Sequence, residues 1–197
     1  PGQSAKETIE SGTKAAAAGG FTRVATMPNT KPVIDSAIIV DGLKYKIAAE
    51  GVVKVDIIGS LSKGLEGKEL SSMGGMAKAG VVAFSDDGRY VQNCDFMRKA
   101  MEYAGMFGKI VIDHCEDADL IEGGHMHEGV VSHELGLKGR PAVAEDIAVA
   151  RDILLAEATG TAVHIAHIST KNAVQMVRQA KAKGLKVTAE ATPQHMI

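Results

Sequence analysis

Metal-capable side chains recur at the ends of three predicted strands of this 197-residue chain. One strand is followed by Asp86 and Asp87, the next by His114, and a third by His167. Imidazole nitrogen and carboxylate oxygen are ligands that zinc accepts in catalytic sites. One histidine after a strand means little, but three successive strands ending in Asp, His and His are harder to explain as solvated polar ends. The pattern therefore predicts a metal site formed by Asp87, His114 and His167.

Strand alternation selects between the adjacent aspartates, because successive side chains of a strand point to opposite faces. Counting along the strand at 81–85 puts Asp87 on the face of the small residue Ala83, which suits a crowded barrel interior. Asp86 then lies on the side of Phe84, which suits a surface covered by helices. The competing interpretation of this Asp-Asp-Gly sequence is an ordinary turn.

The same count predicts that both histidines of the site point inward. It groups His114 with Ile112, and it groups His167 with Val163 and Ile165. His164 falls on the other face of its strand, and we interpret it as a packed core histidine rather than a ligand.

The remaining metal-capable residues favour structural interpretations. Three histidines, at positions 125, 127 and 133, lie in the glycine-rich segment Glu116–Pro141, which is predicted to be irregular and is long enough to be functional or mobile. They are interpreted as loop histidines, with a second metal cluster as the weaker alternative. Cys115 should point away from the face of His114 and is interpreted as a small buried residue.

Short β-branched runs alternate with longer helical segments along the whole chain. The predicted strands are Phe21–Thr26, Lys54–Gly59, Val81–Ser85, Lys109–Asp113, Thr161–Ala166 and Lys186–Glu190. The predicted helices are Ser4–Ala18, Ala37–Glu50, Glu66–Ala79, Asp95–Phe107, Ala142–Ala158 and Lys171–Lys183. Ser4 and Glu7 have the spacing of a capping box at the start of the first helix.

This alternation predicts an α/β protein with a parallel sheet covered by helices. Two architectures compete, a doubly wound open sheet and a closed barrel of eight strands. The sequence contains neither a G-x-G-x-x-G motif after the first strand nor a Walker loop, which disfavours the nucleotide-binding form of the open sheet. Topology alone does not choose between the two architectures. In (β/α)8 enzymes the site lies at the carboxyl ends of several strands, which is where these polar residues fall.

Composition and charge exclude several other classes of protein. Hydrophobic residues make up 45% of the chain and charged residues 23%, with a net charge of −2. This charge provides no electrostatic basis for binding nucleic acid or an anionic membrane, and the apolar runs are too short to span a bilayer. Cys94 and Cys115 do not form a disulfide framework. We expect a cytoplasmic protein with reduced thiols.

We expect residues 1–197 to form a single catalytic barrel domain that is truncated at both ends. The chain starts at Pro1 without an initiator methionine and stops at Ile197, just after a predicted strand and its loop. Sequence on both sides would then be needed to close a barrel.

At these residues the chain resembles the dihydroorotases, in particular their longer, bacterial-type branch. The resemblance covers nearly the whole chain and is carried by Gly19–Lys31 (GGFTRVATMPNTK), Ala83–Gln92 (AFSDDGRYVQ), Asp113–Asp117 (DHCED), His164–Lys171 (HIAHISTK) and Val187–His195 (VTAEATPQH). Pro1 and Gly2 are similar to the end of the family's His-x-His-x-Arg-x-Pro-Gly signature. Gln194 departs from the family pattern, which has a histidine there.

The resemblance implies a (β/α)8 TIM-type barrel of the amidohydrolase superfamily, present here from about strand two to strand seven. It implies that Asp87 bridges metals, that His114 and His167 bind zinc, and that Asn29 contacts the substrate. It also implies that the His-x-His ligands and a substrate-binding arginine precede Pro1, and that the aspartate acting as general base follows Ile197. The catalytic base is therefore not among these residues.

The activity implied is the reversible, zinc-dependent cyclisation of N-carbamoyl-L-aspartate to L-dihydroorotate in pyrimidine biosynthesis. One or two zinc ions would lower the pKa of water from ~15.7 to about 7. We expect a homodimer that can associate with aspartate transcarbamoylase, and we expect this segment alone to be inactive.

Two other functions remain open at the level of sequence. The first is a sister hydrolase acting on hydantoin or allantoin, although such relatives usually bridge their metals with a carboxylated lysine, and the strand at 81–85 has none. The second is a catalytically silent homologue that serves as a scaffold for aspartate transcarbamoylase. Retention of Asp87, His114 and His167 argues against a silent protein.

Overall fold

A computed structural model describes residues 5–196 of the chain. Its elements alternate between helices and strands, and two single 3-10 turns lie at Lys63–Leu65 and Pro193–His195. The order is α1 (Ile9–Ala18), β1 (Arg23–Thr26), α2 (Ala37–Glu50), β2 (Lys54–Gly59), α3 (Met73–Lys78), β3 (Ala83–Ser85), α4 (Cys94–Met106), β4 (Ile110–Asp113), α5 (Ala118–Ile121), β5 (Met126–His127), α6 (Val130–Glu134), β6 (Gly139–Arg140), α7 (Val143–Thr159), β7 (Val163–Ile165), α8 (Lys171–Ala182) and β8 (Val187–Ala189).

Six strands form one parallel sheet in the order β1-β2-β3-β4-β7-β8. This order follows the chain without reversing, as in a barrel, whereas a doubly wound sheet reverses its strand order at the middle. The prediction of six parallel strands in sequential order is confirmed. The architecture is an α/β half-barrel, and all six carboxyl ends lie at the same edge.

The hydrophobic core lies between one face of the sheet and the helices. Strand residues Phe84, Val111 and Ile165 are fully buried there and pack with helix residues such as Met97 and Val149. The other face is only partly covered.

Two predicted helices differ from the structure at their first turns. Helix α1 begins at Ile9, because Thr8 and Ser11 form the capping box in place of Ser4 and Glu7; Ser4 itself lies outside the described residues. The helix predicted over Glu66–Ala79 is wrong in its first half. Gly67 takes a left-handed φ of 66° there, which the helix cannot continue through, and the helix starts at Met73.

The prediction that the segment Glu116–Pro141 is irregular is wrong, because this segment is folded. It contains α5, α6 and a small parallel pair formed by β5 and β6. Asp117 starts α5 by accepting hydrogen bonds from the backbone N–H groups of Asp119 and Leu120, at 3.1 and 3.0 Å. Within the described residues 5–196, no helix is both long and apolar enough to cross a membrane.

Candidate metal centre

Three side chains meet at the carboxyl ends of β3, β4 and β7. The Nδ1 atom of His114 lies 2.8 Å from Nε2 of His167 and 3.4 Å from Oδ1 of Asp87. His167 Nε2 lies 3.5 Å from the same Asp87 oxygen. All three side chains are half-buried, with exposed fractions of 25%, 33% and 18% for His114, His167 and Asp87. The predicted residues Asp87, His114 and His167 are therefore brought together.

The spacing of these three atoms fits a metal ion. Tetrahedral zinc holds its nitrogen and oxygen ligands at about 2.0–2.1 Å, which separates neighbouring ligands by roughly 3.4 Å. Two sides of the triangle match that separation, and the shorter one, between the histidine nitrogens, needs to open by about half an ångström by the same criterion. The donors are those expected of catalytic zinc. Among the described residues, the only other group with metal-ligand spacing is Asp113, Cys115 and Asp152, which is fully buried.

Asp86 and Asp87 point in different directions, as strand alternation predicted. The Asp86 carboxylate is buried and accepts hydrogen bonds from the N–H groups of Leu61 and Ser62, at 2.8 and 3.0 Å, and from the Ser62 hydroxyl. Burial raises the pKa of Asp86. Asp87 instead faces the histidines. Asp86 therefore holds the loop after β2, and Asp87 is left free for the site.

Histidine contacts dominate the electrostatics of the site. Contacts with His114 and then His167 hold the pKa of Asp87 far below its usual value. The same contact with Asp87 raises the pKa of His167. An ionised carboxylate is thus stabilised at the centre of the three residues, which is the protonation state that a cation requires.

The prediction that His167 shares a face with Val163 and Ile165 is wrong. Val163 and Ile165 are fully buried in the core on the helix-covered face. His167 still reaches the site because its backbone takes a left-handed φ of 34° in a turn after β7, which breaks the alternation.

His164 occupies the partly open face of β7 and is not a packed core histidine. Its Nδ1 lies 2.8 Å from the Thr188 hydroxyl, and its Nε2 lies 3.6 Å from the Glu190 carboxylate. It is outside the group of three. The histidines at positions 125, 127 and 133, in the segment 116–141, are exposed and join no metal-capable group among the described residues.

A second set of side chains lies against the outer nitrogen of His114. His114 Nε2 lies 3.4 Å from the Glu116 carboxylate, which is 3.7 Å from the guanidinium of Arg140. The Tyr90 ring lies 4.9 Å from the His114 ring, and burial, followed by the contact with Glu116, raises the pKa of Tyr90. Sequence reasoning assigned none of these three a role, although Glu116 follows His114 by two residues.

Asn29 reaches the same edge of the sheet from the loop after β1. Its side chain is exposed and lies directly over Gly88, where an added Cβ would stand 2.9 Å from the Asn29 Nδ2 atom. Gly88 has a φ of 90°, so the turn after Asp87 requires glycine at this position. Asn29 also lines a cavity of about 550 Å³ beside β1.

A buried ionic cluster lies behind His114, on the helix side of β4. The guanidinium of Arg151 contacts the carboxylates of Asp113 and Asp152, at 2.8 and 2.7 Å. Cys115 lies 3.4 Å from Asp152, and burial raises the pKa of this thiol. The prediction that Cys115 is a small buried residue is confirmed. The cluster itself was missed, because Arg151 and Asp152 are indistinguishable in sequence from other charged helix residues.

The fold and the site define a class: an α/β half-barrel whose carboxyl-end residues can bind a metal, with the fold of the hydantoinases. It superposes on the L-hydantoinase (dihydropyrimidinase) from Arthrobacter aurescens with a TM-score of 0.77 and 21% identity, covering 95% of this chain and 43% of that one. The D-hydantoinase (dihydropyrimidinase) from Thermus sp. gives a TM-score of 0.70 at 25% identity, over 97% of this chain and 43% of the other.

The sequence then identifies the family. The family described as dihydro-orotase-like matches residues 1–173, and the chain belongs to it. Relatives include the dihydroorotases of Pelotomaculum thermopropionicum, 56% identical over 99% of this chain, and Ruminiclostridium cellulolyticum, 53% identical over 99%. The chain spans about 45% of the first relative's length and 46% of the second's.

Proposed function

We propose that this chain is the central part of a dihydroorotase that interconverts N-carbamoyl-L-aspartate and L-dihydroorotate in pyrimidine biosynthesis. The observation that carries the proposal is the meeting of Asp87, His114 and His167 at the carboxyl ends of three parallel strands. Membership of the dihydro-orotase-like family, with relatives named dihydroorotase at 50–56% identity, supports the choice of substrate.

The three residues would hold zinc, one or two ions, with His114 using Nδ1, His167 using Nε2, and Asp87 as the bridging carboxylate. When bound, zinc would supply a reactive water at neutral pH and polarise the carbonyl that is attacked. Glu116 supports this assignment, because a histidine that binds zinc usually donates its other N–H to a carboxylate. In the tautomer that donates its Nε2–H to Glu116, His114 would direct the lone pair of Nδ1 at the site.

The remaining parts of the proposed site come partly from this chain and partly from sequence outside it. Asn29, held over Gly88 beside Asp87, would donate hydrogen bonds from its amide to a substrate carboxylate. The general base, the His-x-His ligands and a substrate-binding arginine would come from residues before Pro1 and after Ile197. The chain would then contribute strands two to seven of an eight-stranded barrel. We further propose a cytoplasmic homodimer that can associate with aspartate transcarbamoylase.

The position of Asp87 favours this activity over that of a sister hydrolase with a carboxylated lysine. The group with metal-ligand spacing at this edge of the sheet contains an aspartate, Asp87, which follows β3. Strand β3 itself contains no lysine that could take the bridging role. A short aspartate can bridge metals only if its backbone lies near them, which the turn at Gly88 permits.

The test is an assay of the full-length protein loaded with zinc, using dihydroorotate, hydantoin and allantoin as separate substrates. We expect turnover of dihydroorotate that disappears with a chelator and returns with zinc, and much slower turnover of the other two. The purified segment 1–197 should show none, because the proposed base and two ligands lie outside it. Preference for hydantoin would support the sister hydrolase, and inactivity of the zinc-loaded protein on all three would support the silent scaffold.

A further inference from the structure

The turn that carries His167 into the site is strained and needs support. Among the described residues other than glycine, only Leu65 and His167 have a positive φ. For a residue with a Cβ atom this conformation is sterically unfavourable and persists where the surroundings impose it. The position of His167 therefore depends on the contacts that hold the turn, which include the backbone hydrogen bonds from Ala166 to the Asp113 carbonyl and from Ile168 to the Glu190 carbonyl, at 3.1 and 2.8 Å.

A carboxylate from another element also holds the segment that directly follows this turn. Glu145, in the first turn of α7, accepts hydrogen bonds from the backbone N–H groups of Ser169 and Thr170, each at 2.9 Å. The Ser169 hydroxyl donates to the same carboxylate. Three donors within three residues of His167 thus converge on one half-buried side chain.

The next residue of α7 extends the same contact to the start of α8. Asp146 accepts hydrogen bonds from the Thr170 hydroxyl at 2.5 Å and from the Asn172 amide at 2.8 Å. Thr170 also caps α8, accepting from the Ala173 N–H at 3.2 Å. Both acidic residues lie in the first turn of a long helix, where the positive end of the helix dipole stabilises negative charge.

The same turn of α7 also contacts the loop that follows His114. The backbone N–H of Asp117 donates to the carbonyl of Ala144 at 3.1 Å. One helix start therefore contacts the loops after β4 and β7, which carry the two histidines of the site.

We infer that Glu145 is a positioning residue, which fixes His167 as a metal ligand by holding the strained turn after β7. Asp146 assists by tying Thr170 and Asn172 to the same helix start. This inference rests on the proposed function, because it assumes that His167 binds metal. It assigns a role to a residue that contacts neither metal nor substrate.

The test compares zinc affinities of the full-length protein by competition with a chromophoric chelator. In Glu145→Gln the side chain keeps its size, but one acceptor oxygen is replaced by an N–H₂ group that opposes the donors. Loss of an outer partner of a metal ligand typically weakens metal binding by about 10–100-fold, and we expect a loss of about tenfold. The matched control is Glu157→Gln, an exposed position on the same helix, which should bind zinc as the wild type does.

A double-mutant cycle separates positioning from general damage to the fold. If Glu145 acts through His167, then adding Glu145→Gln to His167→Ala should change zinc affinity by less than about twofold. The visible spectrum of the cobalt-substituted protein should also change in Glu145→Gln and stay unchanged in Glu157→Gln, because it reports ligand geometry.

Each outcome decides the inference. Wild-type zinc affinity in Glu145→Gln overturns it and leaves the proposed function intact. Full additivity with His167→Ala also overturns it, because the effect then does not pass through His167. A wild-type protein that binds no zinc overturns the proposed function and this inference together.

Discussion

The two adjacent aspartates after β3 should respond in opposite ways to substitution by alanine. Asp87→Ala removes the carboxylate that lies 3.4 and 3.5 Å from the two histidine nitrogens, so it should abolish tight zinc binding and turnover together. Asp86→Ala removes a buried acceptor that contacts neither histidine and holds the backbone of Leu61 and Ser62. It should mainly lower the free energy of unfolding.

The expected magnitude of each change follows from the contacts that the substitution removes. Zinc binding to a complete site is worth about 10–16 kcal/mol over four ligands, so one ligand contributes roughly 3 kcal/mol. This corresponds to about a hundredfold loss of zinc affinity in Asp87→Ala, and more if the carboxylate bridges two ions. In Asp86→Ala, two buried N–H donors and the Ser62 hydroxyl lose their acceptor. At about 1–3 kcal/mol for each of the two unsatisfied N–H groups, and with the hydroxyl free to rotate, the total is roughly 2–6 kcal/mol.

Three measurements on the same preparations of the full-length protein check this pair. Zinc affinity and dihydroorotate turnover are measured after identical zinc loading, and the free energy of unfolding is obtained from urea titrations of the metal-free proteins. Asp87→Asn and Asp86→Asn, which preserve side-chain size, serve as the matched controls. If Asp87→Ala retains near-normal zinc affinity and rate while Asp86→Ala loses both, then the assignment of the inward face of β3 is wrong by one residue.

Three further predictions concern the surroundings of the site. Because Asp87 raises the pKa of His167 above 6.5 and a protonated imidazole cannot bind zinc, the apparent zinc affinity should fall as the pH drops through that raised pKa; a constant affinity between pH 6 and 8 contradicts this. Gly88→Ala should lower the free energy of unfolding by about 1–2 kcal/mol, measured in urea, because residue 88 has a left-handed φ. The same variant should raise KM in steady-state kinetics, because the added Cβ displaces Asn29. Arg151→Met removes the cation that contacts the buried Asp113 and Asp152 side chains and should destabilise the protein by about 3–5 kcal/mol; a loss below about 1 kcal/mol in urea would count against the ion cluster.

The part of the site carried by β3 and β4 could be predicted from sequence because those strands obey a simple rule. Alternation is a local property of extended backbone, and it holds from Ile110 through His114 and from Ala83 through Asp87. The inward direction of Asp87 and the burial of Cys115 follow from counting alone. The parallel direction of the six strands follows similarly from repeated strand and helix patterns, whereas their sequential order was expected from the resemblance to a barrel family.

What the sequence by itself determined was therefore the fold class, the order of the elements and the identity of the three metal-capable residues. The tertiary structure alone decided how His167 reaches the other two. Its turn departs from strand geometry, and the segment that follows the turn is held by hydrogen bonds to Glu145, which comes from helix α7. The partners of Glu116 and Asp113 were decided in the same way, because Arg140 and Arg151 reach them from other elements. Local patterns specify backbone conformation and burial, whereas pairings between distant polar groups depend on how the helices pack on the sheet.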